Sequence, residues 1–315
     1  MIFDLEDTTT RDIAKQLSAI REMGNQVTTG RVLTLIVVTS ADSPLDEILH
    51  SINDSSGEHP SRVLLLVTGD VTAPTQLDAS IRIGGDAGAS EIIIMRVTGE
   101  IIEHLASLVT PLLLPDTPIV AWWPGAAPKQ LAQDSIGLIA QRRITDVAND
   151  PSPTAPLSRR NHYAPGDSDL SWSRLTQWRG VLASALDQPP HEPVESVDIY
   201  GPKDPSVRIA AGWLADRLAV PIRLHHTSDE CNEIDCHGEL CHPVTKIELH
   251  RPTGPVVVEV VDAHTMSVQL PGCPPSLVAV GRRGLSDCLA EELRHLDPDN
   301  AYAKALRGLY RVQEV

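Results

Sequence analysis

Positive charge is what this chain most conspicuously lacks. Its 26 Lys and Arg stand against 42 Asp and Glu, a net charge of -16, and no long basic run interrupts the acidity. A protein that grips a phosphate backbone needs a cationic stripe, so nucleic acid is excluded as a partner. Long hydrophobic runs are missing as well. The longest, Val32-Leu-Thr-Leu-Ile-Val-Val38, is far too short to span a bilayer and reads as a buried strand, so no membrane association is expected. The N-terminal Met1-Ile-Phe-Asp-Leu-Glu-Asp-Thr8 is acidic where a signal peptide would be basic and then apolar, which predicts a cytoplasmic protein. Five cysteines, an odd number in a chain of 315 residues, argue against a secreted disulfide framework and for reduced thiols.

Catalytic fingerprints are absent too. There is no Gly-x-Gly-x-x-Gly after a strand, no Walker loop, no Gly-x-Ser-x-Gly elbow and no His-Glu-x-x-His. The nearest phosphate loop, Gly84-Gly-Asp-Ala-Gly88, precedes a strand rather than opening a helix, so it offers an anion no helix N-terminus and reads as a tight turn. Acidic residues are scattered, with no pair at a strand end beside a plausible nucleophile. Arg142-Arg143 and Arg159-Arg160 could grip a phosphorylated ligand or an acidic partner face, solvated surface arginines being the commoner case.

Aromatic residues make up only 3% of the chain, yet two of its five tryptophans stand side by side in Asp116-Thr-Pro-Ile-Val-Ala-Trp-Trp-Pro-Gly125. Successive side chains on a strand point to opposite faces, so Trp122 and Trp123 cannot share one core. One indole is therefore expected near the surface, where tryptophan is enriched at binding hot spots, and Trp122, Trp123 and Pro124 are the candidate partner-binding residues. The alternative is that both indoles lie buried between a sheet and a covering helix.

The densest metal-capable cluster is Cys231, Cys236, His237, Cys241 and His242, with His225 and His226 just upstream. Its Cys-x4-Cys-His-x3-Cys-His spacing is poor for a zinc knuckle, and Asp229, Glu230, Glu233 and Asp235 surround it. No metal is expected there. The segment reads as an exposed insertion, with structural zinc and thiol redox pairing as weaker readings.

Length predicts two domains, 1–147 and 170–315, joined by a Pro-, Ser- and Asp-rich linker at 148–169. The first is an open, mostly parallel α/β sandwich. It opens with a helix capped by Thr9, with Ile13, Leu17 and Ile20 on one face, and continues with strands at Arg31–Thr39, Ser61–Thr68, Ala79–Ile83, Glu91–Val97 and Pro118–Trp123. A short Gly-rich link around Gly84 predicts an antiparallel edge. In the second, a helix bearing Trp172, Leu175 and Trp178 on its core face precedes a βα unit. A mixed α+β region follows, an antiparallel meander from Lys246 to Val280 and two terminal helices.

Leu5-Glu-Asp-Thr-Thr-Thr-Arg-Asp-Ile13, Gly30-Arg-Val-Leu-Thr-Leu-Ile-Val-Val38, Ser61-Arg-Val-Leu-Leu-Leu66, the Trp-Trp-Pro-Gly segment and Asp198-Ile-Tyr-Gly-Pro202 occur in this order along the chain. Together they resemble the glucose-6-phosphate dehydrogenase assembly protein (OpcA) family of actinobacteria and cyanobacteria. The resemblance covers nearly the whole chain, apart from the Cys-rich loop. It implies an accessory subunit without catalysis or cofactor of its own, which binds glucose-6-phosphate dehydrogenase, promotes its active oligomer and raises NADPH production at the entry of the oxidative pentose phosphate pathway. Such a partner activates allosterically, by binding the competent state more tightly than the others. NADP and glucose 6-phosphate would be ligands of the dehydrogenase. Two other classes stay open: an enzyme handling sugar phosphates at the carboxyl ends of the first-domain strands, and a metal or redox sensor built on the Cys/His loop.

Overall fold

A computed structural model describes residues 1–22, 31–84, 91–152, 154–227, 242–281 and 283–315. The chain forms two compact units, one of Met1–Leu170 with Leu285–Pro298, the other of Ser171–Gly284 with Asp299–Val315. Among the described residues no helix is long and apolar enough to cross a membrane.

The first unit opens with β1 (Ile2–Leu5), α1 (Thr10–Glu22), β2 (Leu33–Ser40), α2 (Leu45–Ser55), β3 (Ser61–Thr68), β4 (Gln76–Ile83) and β5 (Glu91–Thr98). It continues with α3 (Leu105–Val109), β6 (Ile119–Trp123), α4 (Ser135–Ile139), β7 (Arg142–Thr145), α5 (Ala155–Asn161) and β8 (Asp167–Asp169). After α6 (Leu170–Ser173) the second unit contributes α7 (Thr176–Leu186), β9 (Ser196–Gly201), α8 (Pro205–Leu218), β10 (Ile222–His226), β11 (Lys246–His250), β12 (Val256–Asp262), β13 (Thr265–Gln269) and β14 (Ser276–Ala279). Then α9 (Leu285–Arg294) belongs to the first unit, and α10 (Asn300–Gly308) and β15 (Val312–Glu314) to the second.

In the first unit eight strands lie in the order β1-β4-β5-β3-β2-β6-β7-β8. From β5 to β8 all neighbours are parallel, while β4 and β1 add an antiparallel edge beside β5. The parallel part starts at β2, steps out through β3 to β5, then returns to lay down β6, β7 and β8 on the other side of β2, the strand order of a doubly wound sheet. Parallel strands buried on both faces read as continuous apolar runs, and Ile36, Val63, Leu64, Ile93 and Ile94 are all fully buried. One face packs Ile13, Leu17 and Ile20 of α1, Leu105 and Leu108 of α3, and Ile136 of α4. The other packs Ile48, Leu49 and Ile52 of α2 with Cys288, Leu289 and Leu293 of α9. The cap expected for α1 is present: the Thr9 hydroxyl accepts the Asp12 amide at 3.3 Å and donates to the Asp12 carboxylate at 2.6 Å.

The stretch 148–169, whose composition marks a linker, carries α5 and the parallel strand β8 of this sheet. Of the two terminal helices expected in the second domain, α9 belongs to the first unit's core.

The second unit holds a seven-stranded sheet in the order β14-β13-β12-β11-β9-β10-β15. β9, β10 and β15 are parallel, and β11 to β14 form the expected antiparallel meander. Val197, Ile199, Ile222, Leu224, Ile247, Leu249, Val256 and Val258 are buried. α8 begins with Asp204 accepting the Ser206 amide, and α10 with Asp299 accepting the Ala301 and Tyr302 amides. The two helices meet backbone to backbone: a Cβ on Gly308 would lie 2.0 Å from the Gly212 carbonyl oxygen, which requires glycine there. Trp172 is a core anchor, its indole N–H donating to Asp299 at 2.7 Å and its ring lying under Arg179 at 3.7 Å.

Candidate functional site

Strand alternation does separate the tandem indoles, but into two cores rather than one core and the surface. β6 runs between β2 and β7, with Trp122 beside Val37 and Ile144. Trp122 is 0% exposed in the cluster under α2 and α9, Trp123 is 2% exposed in the cluster under α1, α3 and α4, and Pro124 is buried. The expectation of a surface indole is thus corrected. Both faces of this sheet are covered, and one of the covering helices, α9, lies more than half the chain away in sequence, beyond what a reading of local pattern reveals.

The arginine pair is likewise buried and matched. Arg142 donates to Glu292 and, at 2.8 Å, to the Asp297 carbonyl; Arg143 pairs with Asp167 and donates to the Ala140 carbonyl at 3.0 Å. Burial pushes the Asp167 carboxyl up, and the bond from Arg143 acts against it. Arg159 is buried and donates to the Pro128 carbonyl. These groups brace the fold rather than wait for a ligand. Cys231, Cys236, His237 and Cys241, with Gly85–Gly88, lie outside the described residues. His242 engages the Ala263 carbonyl at 3.1 Å through Nε2, and burial lowers its pKa.

The polar group that sequence reading passed over is centred on Asp198. In the register of β10, β9 and β11, Asp198 sits between Arg223 and Glu248, and Tyr200 between His225 and Lys246. Period-two alternation puts these side chains, with His250, on one face of the sheet, opposite the apolar face. That alternation of charged residues in three strands was the available signal. The Asp198 carboxylate, 5% exposed, accepts from Arg223 Nη2 at 2.6 Å, His225 Nε2 at 2.6 Å and His250 Nε2 at 2.7 Å. An ionised carboxylate only accepts, so both imidazoles carry their proton on Nε2. The Tyr200 ring stacks on His225 with centroids 4.6 Å apart, and Lys246 pairs with Glu248 at 2.6 Å.

Asp198, Glu248 and His250 bring potential ligand atoms within 4.8 Å of one another. A dication would nonetheless have to displace Arg223 and Lys246, which already neutralise the two carboxylates, so the donor set does not fit a metal. Burial alone would raise the Asp198 carboxyl, but the bonds from Arg223, His225 and His250 outweigh it and hold the pKa at about 2, against an ordinary 3.8. A depressed carboxylate contributes stability that is complete above its unfolded pKa and is lost as pH falls through the folded one. The cluster is therefore expected to contribute about 2 kcal/mol that disappears between about pH 4 and about pH 2. Urea unfolding of the parent and Asp198→Asn across that window checks this, and a stability gap that does not narrow with acid would refute it.

Comparison with known proteins gives matches along most of the chain. A family model described as the glucose-6-phosphate dehydrogenase subunit N-terminal domain matches residues 52–162, and its companion, the C-terminal domain, matches residues 165–306. The chain belongs to this OpcA family. A putative OxPP cycle protein OpcA of Synechocystis sp. is 27% identical over 143 residues, covering 41% of this chain and 29% of the relative. Those of Synechococcus elongatus and Nostoc punctiforme are each 26% identical, covering 51% of this chain and 40% and 38% of their own lengths. The chain thus spans well under half the length of these curated relatives. Among solved structures, one described as trehalose-6-phosphate from E. coli bound with UDP-2-fluoro glucose aligns at a TM-score of 0.27 and 8% identity, over 63% of this chain and 66% of that chain, too distant to bear on fold or function.

Proposed function

We propose that this chain is a non-catalytic, cytoplasmic accessory subunit that binds glucose-6-phosphate dehydrogenase and raises its activity in the oxidative pentose phosphate pathway. The observation that carries this reading is the pair of family models, N-terminal and C-terminal domains of one dehydrogenase subunit, matched one after the other along a single chain. NADP and glucose 6-phosphate are then the substrates that the dehydrogenase, not this chain, turns over. Activation follows if the subunit binds the competent dehydrogenase state more tightly than the others, since only differential affinity shifts a population. Trp122, Trp123 and Pro124 support the contact from beneath, by fixing the end of β6.

Titrating the purified chain into its cognate dehydrogenase, with NADPH formation as the readout, tests the reading. The expected result is a saturable rise in rate, with no NADP reduction by the chain alone. A rate unchanged at saturating addition would overturn it. A folded Trp123→Phe variant that binds the dehydrogenase as tightly as the parent would remove the β6 end from the contact.

A further inference from the structure

We propose that the carboxyl edge of the first unit's sheet holds a small hydroxylated anion, a sugar phosphate or a sugar acid, in a cavity beside Arg96. The cavity, about 290 Å³, lies where β2, β3 and β5 end, and Ser40, Gly69, Gln76, Asp78, Arg96 and Thr98 line it. Open α/β sheets bind ligands outside the carboxyl ends of their parallel strands, and this volume is of the order of the smaller ligand sites, roughly 300 Å³. The space exists for local reasons. β3 is followed by Gly69, where a Cβ would stand 3.0 Å from the Thr98 methyl, and β4 begins at this edge, running antiparallel to β5 and bringing Gln76 and Asp78 to the rim.

The lining selects the chemistry. Arg96 is exposed on β5, in register with Val67 on one side and Asp78 on the other. The Asp78 carboxylate makes no ion pair with it; it accepts from the Asp7 amide at 2.8 Å and from Gln76 Nε2 at 3.0 Å. Among the described residues Arg96 has neither an ion-pair nor a hydrogen-bond partner. A free guanidinium presents a planar fork suited to a phosphate or carboxylate. Around it stand groups suited to hydroxyls. Thr98 spends its proton on the Pro74 carbonyl at 2.7 Å, so its oxygen is left to accept, and the Asp78 carboxylate keeps lone pairs for the same purpose. Ser40, 3.1 Å from the Ser43 hydroxyl, completes the rim.

Binding of this ligand is a property of the chain alone and does not depend on the dehydrogenase. Isothermal titration of the full chain with inorganic phosphate, glucose 6-phosphate, gluconate and uncharged glucose tests it, alongside Arg96→Ala and Arg96→Gln. Saturable binding of glucose 6-phosphate or gluconate is expected, tighter than inorganic phosphate and absent for glucose, and whichever of the two binds assigns the anion. Either variant should weaken it roughly tenfold or more, as befits loss of a charge-assisted contact. Arg96 is exposed, so both variants should keep the parental circular dichroism. The proposal is overturned if no charged probe binds the parent, if inorganic phosphate binds as tightly as the hydroxylated anions, or if the folded Arg96 variants bind as the parent does.

Discussion

Glu292→Ala is expected to destabilise the first unit by about 3–5 kcal/mol, because it leaves the Arg142 guanidinium buried without its counter-charge. Both side chains are 3% exposed, and the pair joins β7 to α9. Removing one partner exposes the desolvation cost that the ion pair had offset. The same helix also supplies Cys288, Leu289 and Leu293 to the core under α2, so loosening it uncovers apolar surface as well as charge. Replacing Arg142 and Glu292 together by methionine should recover most of the loss, since a matched apolar pair removes both charges at once. Urea unfolding at neutral pH separates these outcomes. If Glu292→Ala lies within about 1 kcal/mol of the parent, the pair is solvated in solution and does not pin α9.

Why the sequence concealed this pair is a matter of range. Strands β2, β3 and β5 were legible because burial on both faces demands unbroken Val, Ile and Leu, and the run Ser61–Thr68 coincides with β3 end to end. The meander was legible from its short turns and β-branched residues. β7 was not, since Arg142-Arg143-Ile-Thr carries two charges in four residues and is buried only through partners 150 and 24 positions away, Glu292 and Asp167. β8 was hidden for the same reason. Its Asp167-Ser-Asp169 reads as loop, yet Asp169 is buried while accepting from the Thr145 hydroxyl at 2.6 Å and the Val147 amide at 3.0 Å. The Asp198 cluster is a different case: its alternating pattern was present in three strands, but only their order in the sheet turns separate charged residues into one group. Buried polarity is specified by long-range pairing, and composition alone assigns it to the surface.

Trp122→Ala should cost about 3–5 kcal/mol as well, and the reason bears on how the Trp-Trp-Pro-Gly segment is read. Trp122 is fully buried on the central strand pair β2–β6, against Val37 and Ile144, so truncation opens a cavity that its close-packed neighbours cannot fill. Trp122→Phe should cost distinctly less. It keeps much of the ring volume, and it removes an indole N–H that has no hydrogen-bond partner among the described residues. A surface-exposed hot-spot tryptophan behaves the other way, since its alanine variant stays as stable as the parent and loses only affinity. Thermal and urea unfolding of the two variants, compared with their affinity for the dehydrogenase, therefore decides between core and contact. A Trp122→Ala variant with parental stability would show that the indole is not packed as the structure has it and would return the residue to the binding surface.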